Sequence, residues 1–306
     1  MAASRNNPTT VRRGFTLIEL LVTIGIMGVL IALTVTVGAN VMSGRMERAA
    51  EDLVVNRIGK SMLMPQWKSV IEDARKTRQF TPKLLALADN DRERAQVIYI
   101  KFRLQQEFPV SFAEVKQDPL YQQGYIDRPT PYPADRLPDT FGVDEESRLK
   151  ESSACLYMIL SRSRRGSASD MDSAFGSGET ARVLIANEPV YYLVDPWGSP
   201  LAFVRWPTGV PALQDRPDPL DPRKKLVPNV SGWSTANANV FADLCHAIDP
   251  DKSFNLYPIV VSCGRGAAKI DDRKNKLISQ GLALSLFDLS GDYTTSGARD
   301  NIMSGN

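Results

Sequence analysis

One carboxylate lies inside the longest apolar stretch of the sequence. This residue, Glu19, follows the residues FTLI and is itself followed by residues 20–42, which contain no charged side chain. An unpaired carboxylate within a bilayer costs a few kcal/mol, less near the membrane edge, and intramembrane acids are rare unless they have a role. The chemistry open to Glu19 is an ion pair with a cationic group in a medium of low dielectric constant.

Other reactive residue types are sparse. The chain has one histidine, His246, which excludes most histidine-based catalysis and histidine-rich metal sites. Its neighbour Cys245 would point to a different face of a helix, so the two do not form a catalytic dyad. The other cysteines, Cys155 and Cys263, lie far apart without CxxC spacing, and the pairing of the three stays open. We expect no enzymatic activity.

The composition is that of a globular protein with an anchor. The 306 residues suffice for one large or two ordinary domains, and 43% of them are hydrophobic. The 37 basic and 35 acidic residues give a net charge of +2, which argues against a dedicated nucleic-acid-binding protein.

The uncharged run is long enough to cross a membrane. As a helix, residues 20–42 would extend about 35 Å, against about 30 Å for a hydrocarbon core. Arg5, Arg12 and Arg13 precede the run. The positive-inside rule therefore predicts a cytoplasmic N-terminus and a head outside the cytoplasm.

Two simpler interpretations compete for this segment. A secretory signal peptide is favoured by the small residues ending at Ala39, but its apolar region usually has about 7–15 residues. A plain membrane anchor has the right length. Neither interpretation gives Glu19 a role.

A third interpretation comes from the string RRGFTLIELL at residues 12–21. It resembles the leader and helix start of type IV prepilins and of the pseudopilins of type II secretion. The resemblance implies a leader of residues 1–14, cleavage by prepilin peptidase after Gly14, and methylation of the new terminal amine of Phe15.

Cleavage there would give Glu19 a cationic partner. An α-amino group titrates near 8 and would be protonated at Phe15, about 6 Å along the helix from Glu19. In a bundle of such helices, the carboxylate would pair with the amine of a neighbouring subunit. Glu19 is thus predicted to direct assembly and register.

Beyond the membrane, the pattern is helical and then β-like. We expect an N-terminal helix at 15–64, with a membrane span of about 17–42 and an end or kink at Pro65. A helical insertion follows at 65–180, with helices at 66–79, 82–108 and 144–163 and a loop at 119–138.

Four short apolar runs predict a β-rich head at 181–306: RVLIAN, VYYLVD, LAFVRW and YPIVVSC. The predicted fold class is α+β, with the long helix packed on an antiparallel sheet as in pilins. DPWGSP at 195–200 resembles a turn of major pseudopilins, for which Trp197 would anchor the core and Gly198 would take a positive φ. YPIVVSCGRG and RDNI resemble their later segments.

The same resemblance implies calcium in the C-terminal loop, with Asp288, Asp292 and Asp300 as candidate ligands. The basic stretch before them departs from the family pattern and favours solvated loop carboxylates instead.

We therefore interpret the chain as a structural subunit of a type II secretion pseudopilus or type IV pilus-like filament. The implied partners are prepilin peptidase, other pilin-like subunits, an inner-membrane assembly platform and secreted cargo. Two alternatives stay open: a pilin for adhesion, motility or DNA uptake, and a membrane-tethered extracytoplasmic binding or hydrolase domain.

Overall fold

The computed structural model describes residues 17–138, 141–142, 144–162, 174–185, 188–206, 218–245, 257–262, 264 and 302–303. The chain divides into two units, Met1–Arg45 and Met46–Asn306. The secondary structure is a mixture of helices and small antiparallel sheets, which confirms the predicted α+β class.

The N-terminal helix is continuous but changes its geometry. Helix α1 (Leu17–Glu51) is followed without a break by a π-helical segment (Asp52–Leu63) and by α2 (Met64–Lys76). The helix does not end at Pro65 as one prediction had it, because α2 continues through this residue to Lys76; the alternative, a kink at Pro65, stays a prediction. In the wider π-helical turn, the Ser61 hydroxyl donates to the Asn56 carbonyl five residues earlier, at 2.8 Å.

Beyond the apolar segment, this helix is amphipathic. Ala50, Leu53, Val54 and Ile58 are buried, whereas the charged residues between them are exposed or half-buried. Their common face explains why the segment folds onto the rest of its unit, since each buried aliphatic side chain contributes about 1.5–3 kcal/mol. The π-helical segment packs against two strands described below.

Short helices make up the middle of the chain: α3 (Pro82–Leu87), α4 (Arg92–Glu107), α5 (Phe112–Gln117), α6 (Pro119–Gln122), a 3₁₀ turn (Ala134–Arg136) and α7 (Glu145–Ser161). The single helix predicted at 82–108 is wrong. Asp89 and Asn90 take left-handed conformations, with φ of 51° and 57°. Asp91 then caps α4 by accepting hydrogen bonds from the N–H groups of Glu93 and Arg94.

The strands form two sheets rather than the one that was expected. Strands β1 (Thr180–Ile185) and β2 (Glu188–Leu193) form an antiparallel hairpin. Strands β3 (Ala202–Val204), β4 (Ile259–Ser262) and β5 (Ile302–Met303) form a second antiparallel sheet in the order β3-β4-β5. The π-helical segment packs against β4 and β5. Two further helices, α8 (Pro228–Ser231) and α9 (Thr235–Cys245), lie between β3 and β4 in the sequence.

One hydrophobic cluster connects helices and strands. It contains Trp67 of α2, Phe108 after α4, Trp206 after β3 and Val260 of β4. The Trp67 ring lies 4.9 Å from that of Phe108 and 5.4 Å from that of Trp206, centroid to centroid. The helices of the predicted insertion and the strands of the predicted head therefore share a core.

Helix α7 contacts both sheets through adjacent serines. The Ser152 hydroxyl donates to the Phe203 carbonyl at 2.8 Å and accepts from the Phe203 N–H at 3.0 Å. The Ser153 hydroxyl makes the same pair of bonds with Leu193, at 2.6 and 3.0 Å. These buried hydroxyls satisfy strand groups that face a helix instead of another strand.

Candidate functional site

The N-terminal part of α1 exposes apolar side chains on every side. Leu17–Val35 has a mean hydropathy of 2.4 over 19 residues, and none of it is buried. Among its large apolar side chains, the exposed fraction runs from 51% at Val22 to 80% at Leu17. By length and composition, it is the one helix within the described ranges able to cross a membrane.

The hydroxyl groups of Thr23 and Thr34 in this segment are compatible with an apolar environment. The Thr23 hydroxyl lies 3.0 Å from the Glu19 carbonyl and 2.8 Å from the Leu20 carbonyl, and Thr34 hydrogen-bonds in the same way to Leu30 and Ile31. These hydroxyls need no water, because the helix itself supplies their acceptors.

Glu19 is the one charged residue of Leu17–Val35 and is exposed in the first turns of α1. Its position close to the start of the helix places the carboxylate toward one end of the apolar segment rather than in the middle. The predicted cleavage site and methylation site, Gly14 and Phe15, lie outside the described residues.

The described turn at residues 195–200 matches the sequence prediction in part. Asp195 Oδ1 accepts hydrogen bonds from the N–H groups of Trp197 and Ser199 at 3.0 and 2.9 Å, and Gly198 has a φ of 85° as predicted. Asp195 Oδ2 accepts from the Ser262 hydroxyl at 2.8 Å and so attaches the turn to β4. Trp197 is only half-buried and does not anchor the core as predicted. The hydrophobic core contains Trp206 instead.

Within the part of the chain that the structure describes, the buried Asp195 carboxyl has no cationic partner. Burial raises its pKa, and the hydrogen bonds from Ser262 and from the turn only partly offset this effect. The geometry makes this residue a structural organiser of the turn.

The comparison with known families concerns the N-terminus. Residues 10–35 match the family described as the prokaryotic N-terminal methylation motif. The chain carries a prepilin-type N-terminus. Because this match spans the predicted cleavage position, Glu19 and the apolar helix, it supports a type IV pilin-like protein that prepilin peptidase processes and that assembles with other pilin-like subunits. The motif and helix are consistent with a single-pass protein anchored in the inner membrane. No curated protein and no solved structure matches the chain.

Outside the matched residues, the chain has buried ion pairs that the sequence patterns did not predict. Arg205 makes a two-pronged contact with Glu114, at 2.7 and 2.9 Å, and also donates to the Phe108 carbonyl at 3.0 Å. Lys101 Nζ lies 2.5 Å from Asp218 Oδ2, with both side chains almost fully buried. The only sequence signal was the presence of Lys101 and Arg205 within apolar runs, YIKFRL and LAFVRW.

Two cysteines, Cys155 and Cys245, are free and buried. Burial raises the pKa of the Cys245 thiol to about 12 and that of Cys155 well above its ordinary value. Such thiols are poor nucleophiles, because the thiolate is the reactive form. Cys263 and His246 lie outside the described residues.

The structure describes part of the chain in which a metal site could lie. Within the described ranges, no group of three or more His, Cys, Asp or Glu residues is placed to hold a metal ion. The candidates Asp288, Asp292 and Asp300 lie outside those ranges, so calcium binding stays a prediction.

Proposed function

We propose that the chain is a structural, non-catalytic subunit of a type II secretion pseudopilus or a type IV pilus-like filament. The observation that carries this proposal is the coincidence of the methylation motif at 10–35 with Leu17–Val35, a helix that is apolar on all its faces. Such a helix requires lipid or the apolar faces of other helices around it.

In the proposed pathway, prepilin peptidase cleaves after Gly14 and methylates the amine of Phe15. The resulting cation lies four residues before Glu19. When helices bundle in a filament core, the carboxylate pairs with the amine of a neighbouring copy. The pair removes two isolated charges from an apolar medium, where each alone is costly, and it fixes the axial register of the two helices.

The proposed location is the inner membrane, with the N-terminus in the cytoplasm and the head in the periplasm. Arg5, Arg12 and Arg13 on the N-terminal side of the helix favour this orientation. Further proposed partners are the inner-membrane assembly platform and secreted cargo, because a subunit extracted from lipid must be transferred into a polymer.

Two features favour a pseudopilin over an adhesive pilin. The Asp195 turn, with its bond to Ser262, links the strand segments that resemble those of major pseudopilins. The short helices at 82–161 add a block to the head, which suits a specialised subunit that contacts cargo or caps a filament.

Intact-mass measurement of the chain tests the proposal. The protein is purified from a host with prepilin peptidase and from an isogenic host without it. We expect a mature chain that begins at Phe15 and carries one added methyl group in the first host, and retention of residues 1–14 in the second. A chain that begins at Asn40, or an identical unprocessed mass from both hosts, would contradict the proposal.

A further inference from the structure

A groove of about 430 Å³ lies at the start of α4. Its apolar lining comes from three separate segments: Phe80 from the loop before α3, Val97 from α4, and Pro222 from the loop before α8. Arg78 and Arg92 also line it, and both are exposed. We call these five residues the α4 groove.

The carboxylates around the groove are already engaged. Glu93 pairs with Arg223 and lies 3.4 Å from Lys225 Nζ. The buried Asp221 accepts hydrogen bonds from the backbone N–H groups of Lys225 and Leu226, at 2.7 and 2.8 Å. Glu93 is therefore paired with cations of the same wall, and Asp221 is hydrogen-bonded to the backbone of that wall.

Arg78 and Arg92 make no ion pair with any other residue in the described part of the chain. Two guanidinium groups without an ion-pair partner among the described residues therefore border the apolar surface. A guanidinium binds a carboxylate through two parallel hydrogen bonds, so this pair of residues favours a ligand that carries carboxylates beside an apolar group.

We propose that the α4 groove binds an acidic peptide segment of a partner protein, with an apolar side chain on Phe80 and Val97 and carboxylates on Arg78 and Arg92. The groove is partly open to solvent, whereas small-molecule sites enclose most of their ligand. An extended peptide needs only an open groove. This proposal does not depend on filament assembly.

The test uses the full-length chain in phosphatidylcholine nanodiscs and a fluorescein-labelled peptide, Gly-Asp-Glu-Leu-Phe-Asp-Glu-Gly, with both ends capped. Fluorescence anisotropy reports binding. Two control peptides separate the contribution of the carboxylates from that of the apolar side chains. One replaces the acids with their amides, and the other replaces Leu-Phe with Gly-Gly. Arg78→Glu and Arg92→Glu are compared with Arg75→Glu, an exposed arginine of α2 that does not line the groove.

We expect Arg78→Glu and Arg92→Glu each to weaken binding about fivefold or more, since each exchanges an attraction for a repulsion, and Arg75→Glu to change it less than about twofold. Both control peptides should bind more weakly than the parent. Equal losses in all three variants, or equal binding of the Gly-Gly peptide, would overturn the proposal. Full competition by inorganic phosphate at millimolar concentration would also overturn it, because it would indicate a small-anion site. Correct N-terminal processing can be measured in the same preparations, so failure of this proposal is distinguishable from failure of the proposed function.

Discussion

Replacing Ser152 with alanine tests how α7 supports the strands. The Ser152 hydroxyl is buried and is the hydrogen-bond partner of both the N–H and the carbonyl of Phe203. Alanine leaves two buried backbone groups without that partner, at about 1–3 kcal/mol each. We therefore expect Ser152→Ala to lower the free energy of unfolding by at least about 2 kcal/mol.

The neighbouring serine provides a graded comparison. The Leu193 carbonyl accepts from the N–H of Leu201 at 3.1 Å as well as from the hydroxyl of Ser153. Ser153→Ala therefore leaves only the Leu193 N–H without a partner and should cost about 1–3 kcal/mol. Ser161→Ala is the matched control, because the Ser161 hydroxyl is exposed and bonds within α7 to the Met158 carbonyl.

Thermal unfolding of the full-length chain in detergent, followed by circular dichroism, measures these differences. For a folded unit of this size, about 2 kcal/mol corresponds to a decrease of about 4–8 °C in the melting temperature. Ser161→Ala should change the free energy of unfolding by less than about 0.5 kcal/mol. If Ser152→Ala and Ser161→Ala melt at the same temperature, the serine contacts do not support the strands as described.

Three further predictions concern the buried charges and thiols. Arg205→Met leaves the Glu114 carboxylate buried without its cation and should cost about 3–5 kcal/mol in urea unfolding. Arg223→Met, at an exposed pair, should cost much less, and equal costs would contradict this. Cys245 should resist alkylation by iodoacetamide at pH 8 until the chain unfolds, as peptide mapping would show, and rapid labelling of the folded chain would refute its burial. Folding raises the pKa of Asp195, so above about pH 4 the folded state still binds a proton that the unfolded state releases. The stability of the wild type relative to Asp195→Asn should therefore fall as the pH rises above about 4. An increase would contradict the burial of this carboxyl.

Local patterns predicted the elements better than their connections. The apolar runs that contain Val183, Val190, Phe203 and Val260 all lie in strands, since alternation and turn residues are local signals. The break between α3 and α4 was missed because apolar residues keep a helical spacing across it. The clustered acids and amide at 89–91 were the available signal, since such residues cap helices and tolerate left-handed conformations.

The N-terminal site could be predicted because its chemistry is local. Glu19 and the apolar run are adjacent in the sequence, so a single stretch of chain carries the whole motif. The Arg205–Glu114 pair and the α4 groove join residues about 90 or more positions apart, and only the packing of the head brings them together. A charged residue within an apolar run indicated that its side chain is buried, but not which residue is its ion-pair partner.

In the proposed assembly, the Glu19 carboxylate directs polymerisation by pairing with the terminal amine of a neighbouring subunit. The most direct measurement is filament yield for Glu19→Gln, with Glu47→Gln as the control, because Glu47 is an exposed carboxylate of α1 outside Leu17–Val35. Sheared filaments and membranes are quantified separately in a strain with prepilin peptidase. We expect Glu19→Gln to be processed and to stay in the membrane without entering filaments, while Glu47→Gln assembles normally. Normal filament yield from Glu19→Gln would contradict it.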